Sequence, residues 1–255
     1  MGASAPPGES ARGNGGAAAT RATTAYALRG LHGQVVDALG HRIVAGELSA
    51  GQTFDLVALE RDLDVSRTVL REALKVLAAK GLVDARPKRG TFVRPRADWN
   101  LFDPDVLRWE FAAGPSRLFA ALAEVRGIVE PATARLAADR RTDADLRALD
   151  AAFETMASAD DAGDARAVVE ADIAFHRSLA HASHNELLLP IQEVVLVGLR
   201  ARDVVVHASR SPTSRGLRLH AAVIDAVRAQ DADRAEAEMR ALLAIAVRDS
   251  ERAAD

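Results

Sequence analysis

Residues 66–81, "SRTVLREALKVLAAKG", constrain the fold more than any other stretch of this chain. Leu70, Leu74 and Leu77 recur at i, i+4 and i+7, while Arg67, Arg71 and Lys75 form a second row at i, i+4 and i+8. A helix with these rows has an apolar face to bury and a basic face to present. Ser66 is placed to cap its first turn and Gly81 to end its last. Upstream, Leu31, Val35, Val36, Leu39, Ile43 and Val44 predict an amphipathic helix, and "LVALERDLDV" predicts a short second one. Downstream, "LVDARPKRGTFVRP" reads as two short strands joined across Pro87-Lys88-Arg89-Gly90. Helix, short helix, turn, basic helix and basic hairpin together make the layout of a winged helix-turn-helix, whose third helix enters the major groove of DNA. A solvated basic face is the plain alternative for the helix taken alone; the neighbouring elements argue against it.

The charge distribution agrees. The net charge is −3, yet residues 1–98 hold 14 Lys and Arg against 10 Asp and Glu, whereas residues 99–255 hold 19 against 26. Ser66–Arg96 alone has nine basic residues and two acidic ones, as a polyanion partner requires. Cysteine is absent, so any metal must be held by His, Asp or Glu. There is no apolar run of bilayer length and no signal-peptide core, and a cytoplasmic location without membrane contact is expected. Residues 1–24, rich in Gly, Ala, Ser and Thr, are expected to be a disordered leader.

Beyond residue 98 the patterning is helical throughout, with helices expected at roughly 104–112, 115–138, 143–160, 164–182, 185–208, 214–229 and 231–252. The fold class is therefore mostly α: residues 25–96 form the winged helix-turn-helix, 97–114 a linker and connecting helix, and 115–255 an all-helical bundle, about seven helices in all. In "EADIAFHRSLAHASHNE", Asp172 and His176 lie one turn apart, about 40° around the helix. They can share a ligand or form a surface hydrogen bond. His181 is turned about 140° from His176, and His181 and His184 are assigned to packing and the helix end. His220 falls on the apolar side of its own helix, where a satisfied core histidine is the alternative to a ligand.

The stretches "VSRTVLREALKVLAAKGLV" and "RGTFV" resemble the DNA-binding domain of the GntR family of bacterial transcription regulators. The resemblance implies that Ser66, Arg67, Thr68 and Arg71 reach DNA from the recognition helix, and Lys88, Arg89, Gly90 and Thr91 from the wing. Val69 stands where many members have Pro, and Val57 where some have a DNA-contacting Arg.

"EVRGIVEPATARLAA", the Asp172/His176 stretch and "RLHAAVIDAVRAQDADRAEAEMRAL" resemble the FCD effector domain of the FadR-type branch. By that resemblance Asp172, His176 and His220 are ligands of a divalent metal ion such as Zn²⁺, with Ala241 standing where metal-containing members have a fourth, histidine ligand. His207 is a possible substitute. Arg126 matches the family's cavity-facing arginine, with an intrahelical pair to Glu130 or Glu124 as the alternative, and Arg202 or His207 could close the opposite side of an effector pocket. "WNLFDPDVLRWEF" is similar to the segment after the linker in regulators of sugar-acid catabolism, galactonate-operon repressors in particular. The expected protein is thus a homodimeric repressor on a palindromic operator, controlled by a small carboxylate, and not an enzyme. A metal-dependent hydrolase of small acids fused to a DNA-binding domain is the enzyme alternative, but no nucleophile elbow and no H-E-x-x-H stretch is present. An effector-independent DNA binder is the third reading.

Overall fold

A computed structural model describes residues 30–114, 117–206 and 214–254. The leader expected at 1–24 lies outside the described residues. The head consists of α1 (Leu31–Val44), α2 (Leu56–Asp62), α3 (Arg67–Ala79) and a hairpin of β1 (Val83–Arg86) and β2 (Gly90–Val93). Ser66 caps α3 as expected, its Oγ accepting from Val69 N–H at 3.4 Å, and Asp55 caps α2, accepting from the Val57 and Ala58 backbone N–H groups at 3.0 and 3.1 Å. The hairpin is antiparallel with Val83 opposite Val93 and Arg86 opposite Gly90. Leu39, Ile43, Leu70, Leu77 and Leu82 are fully buried between α1, α3 and the hairpin.

A 3-10 turn (Arg96–Asp98) leads to α4 (Pro104–Ala112), capped by Asp103. Helices α5 (Arg117–Arg140), α6 (Asp143–Asp161), α7 (Ala165–Ala182), α8 (Leu188–Val206), α9 (Ser214–Arg228) and α10 (Ala232–Ala254) complete a mostly helical chain, and the sheet is confined to the head among the described residues. Their core is built of Ala, Leu, Met and Val side chains around Phe175, small enough for close helix packing.

Helix α4 packs on both sides. Val106 and Trp109 belong to the core of the head. Gly40 of α1 makes room for the Trp109 ring, because a Cβ there would stand 2.5 Å from the indole. On the other side the Phe111 and Phe119 rings lie 4.6 Å apart, and Gly198 of α8 lets Phe111 and Leu122 approach α8 closely. Ionic contacts reinforce the first junction: Lys80 bonds Asp103 and Asp105 at 2.8 Å each, and Arg108 bonds Asp37 at 2.8 Å.

Candidate functional site

The basic face forms as the helical rows require. Ser66, Arg67, Thr68 and Arg71 are all exposed on α3, opposite the buried leucines. The Arg67 guanidinium stands 3.8 Å from Glu60 of α2, a carboxylate that steers it and that residue spacing alone did not single out. Val57 is exposed on the same short helix. At the wing tip Lys88 adopts a left-handed backbone (φ 65°) and is exposed, with Gly90 also at positive φ. Arg89 is held differently: its guanidinium lies 3.5 Å over the Phe92 ring and donates to the Gly51 carbonyl at 3.4 Å. Thr91 is half-buried against β1 and the Phe54 segment, its carbonyl accepting from Phe54 N–H at 2.8 Å.

Within the bundle, α7 and α9 bring Asp172, His176 and His220 together, with ligand atoms all within 4.8 Å of one another. Asp172 Oδ1 is 2.8 Å from His220 Nε2 and 3.6 Å from His176 Nε2. The other ring nitrogens face outward to separate partners. His220 Nδ1 is 2.9 Å from the Gly216 carbonyl, which can only accept, so Nδ1 carries the proton. His220 Nε2 can then meet Asp172 only as an imidazolium N–H or through a shared cation. His176 Nδ1 lies 3.3 Å from Glu130 Oε2 of α5, near it without an aligned hydrogen bond. Outer partners on Nδ1 and convergent Nε2 atoms are the arrangement by which proteins orient histidine ligands. The donor set, two imidazoles and a carboxylate, suits Zn²⁺ or a similar ion with open positions.

The electrostatics set the protonation states. Burial pushes the Asp172 carboxyl up, but His176, the His220 hydrogen bond and Arg126 outweigh it and hold Asp172 well below the ordinary carboxylate range. Burial likewise opposes ionisation of Glu130, and Arg126 and His176 reverse it. Burial holds His176 below its ordinary value, leaving a neutral imidazole able to ligate. Arg126 and Glu130 are both buried and joined by two hydrogen bonds of 2.9 and 3.2 Å, so the intrahelical pair allowed by their spacing is formed. Glu130 thus links Arg126 to His176, a connection between helices that no local pattern announces.

Other positions fall elsewhere. His181 is exposed, and His184 sits in a left-handed conformation beyond the end of α7, bonded to Asp145 at 2.8 Å. Arg202 is in α8, but its side chain, and His207 altogether, lie outside the described residues. The assignment of the missing fourth ligand to Ala241 requires correction. Ala241 is on the exposed face of α10, while Met239, Leu242 and Leu243 form the buried stripe at i, i+3 and i+4. The inward positions of that turn are apolar leucines, so a histidine at 241 would point away from the bundle interior.

Comparison with known proteins gives two family matches: residues 31–93 fit the model described as bacterial regulatory proteins, gntR family, and residues 121–254 the FCD domain. The chain is similar to the galactonate operon transcriptional repressor of Escherichia coli (strain K12), 35% identical over 220 residues that cover 84% of this chain and 94% of that protein. It is also similar to the HTH-type transcriptional regulator LutR of Bacillus subtilis (strain 168), 33% identical over 207 residues, covering 78% and 91% respectively. Among solved structures the fold resembles that of Lar, titled as controlling the Listeria monocytogenes agr system, with a TM-score of 0.64, 19% identity and coverage of 88% and 98%. Escherichia coli McbR/YncC gives a TM-score of 0.54 at 18% identity, covering 89% and 99%.

Proposed function

Because this chain belongs to the gntR family of bacterial regulatory proteins, in the FadR-type branch with an FCD domain, and is therefore an effector-regulated DNA-binding transcription regulator, we propose that it is a repressor released from its operator by a sugar acid. The observation that carries this reading is the Asp172–His176–His220 cluster, with both imidazoles buried and the carboxylate half-buried, beside the Arg126–Glu130 pair, in the same chain as a basic winged helix. A cation held by Asp172, His176 and His220 would supply fixed positive charge for the effector's carboxylate. Arg126 would share that carboxylate with Glu130, and Arg202 and His207 are the further candidates for the pocket wall. The 35% identity to a galactonate operon repressor supports an aldonate as the effector class.

On the DNA side, Arg67 and Arg71 would read base edges or clamp phosphates, with Ser66 and Thr68 on the adjoining backbone. Lys88 would reach the minor groove from the wing tip; Arg89, stacked on Phe92, would stiffen the wing and meet phosphates from its outer edge, with Gly90 and Thr91 shaping the turn. We read the chain as a homodimer on a palindromic site, and Val125 and Ile128, exposed on one face of α5, supply apolar surface for such a contact. The division at residues 97–114 is read as a connector whose helix transmits the effector's influence to the head.

The test is reciprocal linkage. Duplexes bound by the full-length protein are selected from a random pool, and their affinity is measured with and without D-galactonate and Zn²⁺. Galactonate should weaken the DNA complex, and DNA should weaken galactonate binding by the same factor. Unchanged DNA affinity at saturating sugar acid overturns the reading, and turnover of the acid would favour the hydrolase instead.

A further inference from the structure

Gln192, on the inward side of α8, is 2% exposed, and its amide nitrogen has no hydrogen-bond partner among the described residues. A primary amide withdrawn from water without an acceptor is destabilising, and an apolar residue of similar size would fill the same space without that cost. Its location explains why an amide would be kept there. Two ion pairs set the register of the antiparallel helices α7 and α8: Arg177 with Glu193 at 2.6 Å and Glu170 with Arg200 at 2.7 Å. That register puts Gln192 level with residue 178, about 3 Å along the axis from His176 at 1.5 Å per residue. The helical phase agrees. Gln192 is one turn from Leu196, which packs with Leu199 against Val169 and Ile173, and one turn beyond Ile173 along α7 is His176.

The carboxylates of this layer are engaged, Glu130 by Arg126 and Asp172 by His220. Among the described residues no acceptor meets the Gln192 amide nitrogen, and a bound molecule can supply one. We propose that Gln192 is the hydroxyl-reading residue of the effector pocket, donating to a hydroxyl oxygen of a polyhydroxylated carboxylate whose acid end lies toward Arg126 and the Asp172–His176–His220 cluster. The inference rests on the effector reading above. The choice of a hydroxyl follows from charge: the anionic end has a guanidinium and a cation site, whereas a neutral amide matches a neutral oxygen. A site built to hydrogen-bond a hydroxyl also rejects analogues lacking it far more strongly than an apolar site could.

The experiment is titration calorimetry on the full-length, Zn²⁺-loaded protein with D-galactonate and with hexanoate, an acid of equal carbon number without hydroxyl groups. Gln192→Leu should weaken galactonate about tenfold or more, leave hexanoate unchanged or tighter, and melt at or above the wild-type temperature. Gln192→Glu, which keeps the shape but removes the donors, should weaken galactonate as well and serves if the leucine variant does not fold. If wild type binds galactonate and both variants keep its affinity and its preference over hexanoate, the Gln192 inference fails alone. A wild-type protein that binds no galactonate overturns the sugar-acid reading and this inference with it.

Discussion

The Asp37 carboxylate accepts the Trp109 indole N–H at 2.7 Å, joining the first helix of the DNA-binding head to the helix that leads into the bundle. The same oxygen receives Arg108 at 2.8 Å, and Trp109 is fully buried. Removing this acceptor with Asp37→Ala strands a buried indole N–H, at a cost of about 1–3 kcal/mol. Urea denaturation followed by tryptophan fluorescence should show a lower midpoint with an unchanged slope. An unshifted midpoint would mean that the junction does not depend on this bond.

Operator recognition should depend on Arg67 and Arg71, which the α3 face exposes. Either residue changed to Ala should abolish sequence preference in fluorescence anisotropy while residual binding remains salt-sensitive. Lys88→Ala, by contrast, should weaken all duplexes about equally and reduce the slope of log affinity against log salt by about one. Retained nanomolar, sequence-specific binding by Arg67→Ala at moderate salt would remove α3 from the recognition role.

Metal uptake separates the three inward ligands from position 241. Asp172→Ala and His220→Ala should each lose Zn²⁺ on dialysis, read as metal content of the purified protein. Ala241→His should leave Zn²⁺ affinity unchanged, because that side chain points off the exposed face of α10. A large gain in affinity from Ala241→His would contradict this orientation.

Stability should fall on acidification, in two stages, when measured in chelator so that metal linkage does not contribute. Burial holds His176 below its ordinary pKa, so the unfolded chain takes up this proton first and stability declines as pH drops below about 6.5. Asp172 and Glu130 are also held below their ordinary values, and their contribution, present above about pH 4, is lost as pH falls further. Lys80, raised by Asp103 and Asp105 against the opposing effect of its burial, acts at the other extreme and loses its contribution only above about pH 10.4. Melting temperature recorded from pH 8 to 5 checks the first stage, and His176→Gln should flatten it.

Assembly can be tested on α5. Ile128 is 72% exposed, and Ile128→Arg should shift the protein from dimer to monomer in light scattering and weaken operator binding by removing the second recognition helix. A wild-type monomer, or a variant that remains dimeric, would direct the search for the interface to another face.

The sequence by itself determined the elements. Leu70, Leu74 and Leu77, the Ser66 cap and the Pro87–Gly90 turn are local patterns set by helix and hairpin geometry, and they reappear at the same residues in the structure. Asp172 and His176 were legible as a pair for the same reason, since i, i+4 spacing implies one face. Even the exposed setting of Ala241 is contained in the Met239/Leu242/Leu243 periodicity of α10, which outranks a positional match to other proteins. Only the tertiary structure decided which pieces meet. It brought His220 to Asp172, set Glu130 between Arg126 and His176, buried the Gln192 amide nitrogen without a partner among the described residues, and packed α4 on both the head and the bundle. These relations depend on how each helix is rotated and crossed against neighbours distant in sequence. That choice is made by the packing of the whole core, which spacing within one helix does not encode.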